Sequence, residues 1–229
     1  MLFHKVIANE HNKHKTKSPH NIELVIRITL SFVFFISSIL KSVNLHSVIL
    51  EVRMYIDAYM TDSLQPLAMV AAIVVCCSEM AIALLAIKKE YCRTIAMSFF
   101  IMLSFFVYLT ALNLFFPTIM GSIESCGCFG ELIHFTPVAS FVKSVVLWIM
   151  ALALVIDNYR NNEPWNIQQL LRDKYLYIST AVSMVLPLYS LWCFNEMSHT
   201  AYIVGFVAIC FSLLLIVVVS QRYYSKKIS

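Results

Sequence analysis

The chain has 229 residues, 60% hydrophobic and 13% charged, with a formal net charge of +4. A soluble domain carries roughly twice that charged fraction. The composition therefore argues against a soluble cytosolic enzyme, a disordered protein and a disulfide-stapled secreted mini-domain. Nucleic-acid binding also lacks support, because the basic residues are not interleaved with aromatics on a polar surface.

After a basic segment at residues 1–21, six apolar runs reach bilayer length, about 20 residues each. They are Ile22–Leu40, Pro66–Ile87, Thr94–Phe116, Pro137–Ile156, Tyr175–Phe194 and Ala201–Ser220. Each is expected to be a helix, because a spanning segment must satisfy its own backbone polar groups. Pro66 and Pro137 stand at helix starts, Thr136 is placed to cap the fourth helix, and Pro187 is internal to the fifth. The first run, behind a long polar leader and with no small-residue cleavage site, reads as an uncleaved anchor.

Lysine and arginine orient the bundle. Fourteen of the 17 fall near one face, among them Lys5, Lys88, Lys89, Arg93, Arg160, Arg172 and Arg222, while Lys41 and Arg53 fall near the other and Lys143 lies within a span. Both termini are thus expected in the cytoplasm, and the net charge is mostly a topology signal. Between the first two runs, Leu45, Val48, Ile49, Val52, Tyr55, Ile56, Tyr59 and Met60 form a helical stripe, expected to lie on the outer membrane face. Pro164–Leu171 reads as a short surface connector on the cytoplasmic side.

The loop between the third and fourth runs contains Ser125-Cys126-Gly127-Cys128-Phe129-Gly130-Glu131. Three of the chain's four glycines, Gly121, Gly127 and Gly130, fall in or beside it. That concentration asks for unusual backbone freedom at one place. Topology puts the loop outside the cytoplasm, where disulfides persist. A bridge between Cys126 and Cys128 would close a very small ring, adding little stability through chain entropy. Strained, exposed bridges of that kind are the exchange-prone ones. Glu124 and Glu131 oppose thiolate formation, whereas His134 and Lys143 are candidates for tuning it. Cys193, at the outer end of the fifth run, is a candidate relay thiol. The spacing of Cys126, Cys128, His134 and Cys193 matches no zinc pattern, so no metal is expected.

The Cys126-Gly127-Cys128-Phe129-Gly130-Glu131 string resembles the MauE/DoxX-type family of redox-associated membrane proteins, over about residues 22–160. Arg27, Lys41, Tyr59 and Glu79 fall where that family has similar residues. The resemblance implies a four-helix membrane bundle linked to disulfide formation or maturation of exported proteins. It divides the chain into the basic segment, a membrane domain at 22–160, a connector at 161–174 and a two-helix hairpin with a basic tail at 175–229. Arg27 and Glu79 are ionisable residues inside spans at similar depth from the cytoplasmic side, and are expected to pair.

The expected protein is an all-α, six-helix bacterial inner-membrane protein embedded in the lipid bilayer. It would perform thiol–disulfide exchange through Cys126 and Cys128 with a periplasmic thioredoxin-like protein or an exported client. Quinone is the one cofactor to consider. The alternatives are a non-enzymatic membrane chaperone or scaffold and, as the DoxX side of the resemblance implies, a small quinone-linked oxidoreductase subunit.

Overall fold

Apolar runs of about 20 residues that place their backbone in hydrocarbon have one stable local solution, the helix. The computed structural model describes residues 20–59, 62–116, 136–161, 165, 167–193 and 203–213, and among these every regular element is helical. In chain order they are α1 (His20–Val43), α2 (Leu45–Tyr59), α3 (Leu67–Leu85), α4 (Cys92–Phe115), α5 (Pro137–Arg160), α6 (Ile167–Arg172), α7 (Lys174–Cys193) and α8 (Ile203–Leu213). Short 3₁₀ turns at Asp62–Leu64 and Lys89–Tyr91 lead into α3 and α4.

Five stretches are long and apolar enough to cross a membrane: Ile22–Val43, Leu67–Leu85, Lys89–Phe115, Pro137–Arg160 and Lys174–Trp192. They correspond to the first five runs read from the sequence. The sixth run is described only over α8. The punctuation is as the sequence suggested: Thr136 accepts a hydrogen bond from the Ala139 N–H, with Pro137 in the first turn of α5, and Pro187 lies inside α7.

Helix α3 is the hub, packing against α1, α7 and α2, while α4 and α5 form a closely packed pair that joins the rest mainly through α1. Direct contact between α3 and α4 is sparse. One apolar core nonetheless runs through the bundle, from Leu30 and Phe34 of α1 through Met80, Phe99 and Leu154 to Leu186 of α7 and Phe206 of α8. Phe34 and Phe99 meet edge to face at 4.8 Å, the arrangement that ring quadrupoles favour.

The α2 stripe forms over residues 45–56, but α3 covers it; Met60 and the Tyr59 side chain lie outside the described residues. Leu45, Val48, Ile49 and Ile56 are buried against Ala68, Ala72 and Cys76. Those three small residues recur every four positions, so the two backbones approach closely along one face. At the far end of α3, the Asp173 carboxylate ties the connector down. It accepts from Lys88 Nζ at 2.6 Å, from the Tyr91 hydroxyl at 2.9 Å and from the Tyr175 N–H at 3.0 Å. The Tyr175 hydroxyl in turn donates to the Leu84 carbonyl at 3.1 Å.

Candidate functional site

Residues 117–135 lie outside the described residues, and with them Cys126, Gly127, Cys128, Phe129, Gly130 and His134. The stems that carry this segment are described. α4 closes with the Phe116 N–H donating to the Leu112 carbonyl, and α5 opens on the Thr136 cap. The rings of Phe115 and Phe141 meet at 5.9 Å, edge to face. The two helix ends that flank residues 117–135 in the chain are therefore packed together. Beside these stems Asn113 and Ser140 are buried, and Asn113 Nδ2 and Ser140 Oγ have no hydrogen-bond partner among the described residues. Cys193 is the last residue of α7, and its side chain falls outside the described set.

Deeper in the bundle, Glu79 is paired, but its partner is Lys41. The Lys41 ammonium donates to Glu79 Oε1 and lies 4.4 Å from the centre of the Phe106 ring. The expected Arg27–Glu79 pair does not form, and helix register explains why. The Ser31 hydroxyl donates to the Ala83 carbonyl at 2.7 Å, and the Ser38 hydroxyl to the Cys76 carbonyl at 2.8 Å. Seven steps forward in α1 thus match seven back in α3, which puts Glu79 level with Phe35 and Arg27 level with Ile87. That offset is about two turns, or ~12 Å.

Side-chain direction decides the rest. Each Cα–Cβ bond leans toward its own helix N-terminus. In this antiparallel pair Lys41 leans toward Glu79, Glu79 leans toward Lys41, and Arg27 leans away from both. The Arg27 guanidinium instead donates to Cys92 Sγ, whose thiol donates to the Lys89 carbonyl at 2.8 Å.

Lys143, expected to tune the loop thiols, has a buried ammonium nitrogen, and its charge acts on the Glu79 carboxylate. Lys41, Glu79 and Lys143 line one small cavity of about 30 Å³, together with Ser37, Phe106 and Ser144. That is room for about one water molecule. Among the described residues no cluster of three or more His, Cys, Asp or Glu is arranged to hold a metal. Among the described residues Cys76, Cys77, Cys92 and Cys210 form no disulfide.

A second cavity, of about 620 Å³, lies between α2, α3 and α4 and reaches Lys41. Sequence reasoning counted Lys41 only as an outer-face charge and a family-like position. The overlooked signal was its place at the last turn of an apolar helix, where the side chain leans back into the bundle.

Helices of membrane-spanning length around a buried ion pair define a multi-pass, all-α membrane protein. The chain belongs to the methylamine utilisation protein MauE family, which it matches over residues 19–157, about three-fifths of its length. It is also similar to a Flavobacterium psychrophilum protein named TlpB, at 26% identity over 188 residues. That match covers 77% of this chain and 46% of the relative, so the chain spans less than half the length of that protein. No solved structure matches it.

Proposed function

We propose that this protein carries out thiol–disulfide exchange in the maturation of exported proteins, with Cys126 and Cys128 as the exchanging pair. The carrying observation is the Cys126-Gly127-Cys128 segment itself, which holds two of the seven cysteines and, with its neighbours, three of the four glycines of a MauE-family membrane protein. A thiolate from this pair attacks a disulfide sulfur of the partner, passes through a mixed disulfide and is released by the second thiol. The partner class is a thioredoxin-like protein or an exported client on the extracytoplasmic side of the bacterial inner membrane, the side favoured by the lysine and arginine distribution.

Packing of the loop stems through Phe115 and Phe141 supports this reading, because a tethered dithiol works best from a fixed base. Acid trapping followed by maleimide labelling in cells tests it. The expected result is a Cys126–Cys128 pair whose labelling shifts with oxidant and reductant. A pair locked in one state under both, with full function in the Cys126→Ser/Cys128→Ser variant, would overturn the reading.

A further inference from the structure

Where α1 begins and α5 ends, the two helices leave a groove of about 280 Å³ between them. Its charged residues are Glu23 of α1 and Asp157 and Arg160 of α5. Its apolar part is Ile26 of α1 with Ala153 and Leu154 of α5. Ile26 lies about one turn past Glu23, and Ala153 about one turn before Asp157, so the apolar part sits ~5 Å deeper in the bundle than the charges. Ile22 and Ile156, also in the lining, are each more than half exposed, so the groove opens on the bundle's outer surface. Charge at the outer end and hydrocarbon within is the order of a phospholipid's head and chains.

The aromatic residues beside the groove set its level in the bilayer. Tyr159 and Trp165 are 70% and 49% exposed, and the Arg93 guanidinium lies over both rings, at 5.7 and 4.6 Å. Exposed Tyr and Trp beside a basic residue mark the head-group layer. Asp157 and Arg160 share a turn of α5 with Tyr159, so the charged rim stands among lipid head groups.

Charge selects the lipid. The rim carries two carboxylates and one guanidinium, so an anionic head would meet more repulsion than attraction. Two other cations at this end are engaged elsewhere, Arg27 with Cys92 and Arg93 over its two rings. A zwitterionic head matches the rim, its phosphate on Arg160 and its ammonium on Glu23 and Asp157. These side chains need not be uncommitted to take part. A guanidinium has five N–H donors and a carboxylate about four lone-pair sites, so a bond such as that from Asn161 Nδ2 to Asp157 Oδ2, at 3.3 Å, leaves capacity. The amine decides between zwitterionic heads. A primary ammonium donates hydrogen bonds to carboxylates, whereas a quaternary one has no N–H and is held by aromatic cages. Among the described residues no aromatic side chain lines this groove.

We infer that the groove between α1 and α5 is a binding site for phosphatidylethanolamine, its head held by Glu23, Asp157 and Arg160 and one acyl chain starting inward past Ile26 and Ala153. The site stands independently of the thiol chemistry proposed above.

Native mass spectrometry of the full chain tests this. The chain is released from nanodiscs of equal parts phosphatidylethanolamine, its N,N-dimethyl form, phosphatidylcholine and phosphatidylglycerol. Phosphatidylethanolamine should be retained about fivefold or more over phosphatidylcholine, with the dimethyl lipid between them. Glu23→Gln/Asp157→Asn leaves Arg160 as the charged residue of the lining and should move the preference toward phosphatidylglycerol. Ala153→Phe, at an exposed position, should fill the groove and abolish the preference. A diazirine-bearing phosphatidylethanolamine on the unaltered protein, which does not depend on the variants folding, should label the start of α1 and the end of α5. Equal retention of all four lipids, phosphatidylcholine or phosphatidylglycerol retained over phosphatidylethanolamine, a preference unmoved by either variant, or labelling confined to other helices would each overturn the inference.

Discussion

Lys41 and Glu79 pair across α1 and α3 with side-chain exposures of only 4% and 1%. Two opposite charges so deep in an apolar bundle are stable only together. Removing one partner strands the other, at a cost of about 3–5 kcal/mol, whereas replacing both with apolar residues is often close to neutral. Lys41→Met and Glu79→Leu should each lower the detergent-solubilised melting temperature sharply. The double variant should recover only part of the loss, because it also removes the carboxylate that the buried Lys143 charge acts on, and a double-mutant cycle on thermal unfolding measures the coupling.

Arg27 and Cys92 form a second buried contact, on different helices, at 6% exposure each. Cys92→Ser keeps an acceptor for the guanidinium and should be nearly silent. Cys92→Leu removes it and should cost about 1–3 kcal/mol. Maleimide labelling gives an independent reading: Cys92 should react slowly in the native protein and much faster in Arg27→Ala.

The Asp173 cluster sets a pH dependence. Burial pushes the Asp173 carboxyl up, but hydrogen bonds from Lys88, the Tyr175 N–H and the Tyr91 hydroxyl, with the Lys88 charge, outweigh it and hold the group below its ordinary value of 3.8. With a depressed folded-state pKa, the unfolded chain binds more protons as pH falls. The contribution of Asp173 is therefore complete above 3.8 and is lost as pH falls through the lower folded value. Melting temperatures followed downward from pH 6 should fall less steeply in Asp173→Asn than in the native chain.

Gly205 is the close-approach point between α8 and α7. A Cβ added there would run into the Tyr189 hydroxyl. Gly205→Ala should displace the Tyr189 side chain, and its melting temperature should be higher on a Tyr189→Phe background, where the clashing hydroxyl is gone, than with Tyr189 in place.

Much of this architecture was legible from residue order. The spans follow from run length, the start of α5 from Thr136 and Pro137, and the buried face of α2 from its i, i+3, i+4 stripe. The partner of Glu79 was not. Depth counted from the ends of the apolar runs places Arg27 beside it, but α1 begins at His20, and the hydrogen bonds of Ser31 and Ser38 set the register. Cβ direction then favours Lys41. The cover over the α2 stripe was equally hidden, because amphipathicity marks a buried face without naming what buries it.

The role of Cys126 and Cys128 is tested most directly by trapping the exchange intermediate. Cys128→Ser and Cys126→Ser, expressed singly in cells and quenched with acid, should between them yield a reductant-sensitive adduct joined through the remaining loop cysteine. Mass spectrometry should locate the bond at that sulfur and at a thiol of the partner. No adduct in either variant, with the remaining cysteine equally alkylated under oxidising and reducing conditions, would contradict thiol–disulfide exchange by this protein.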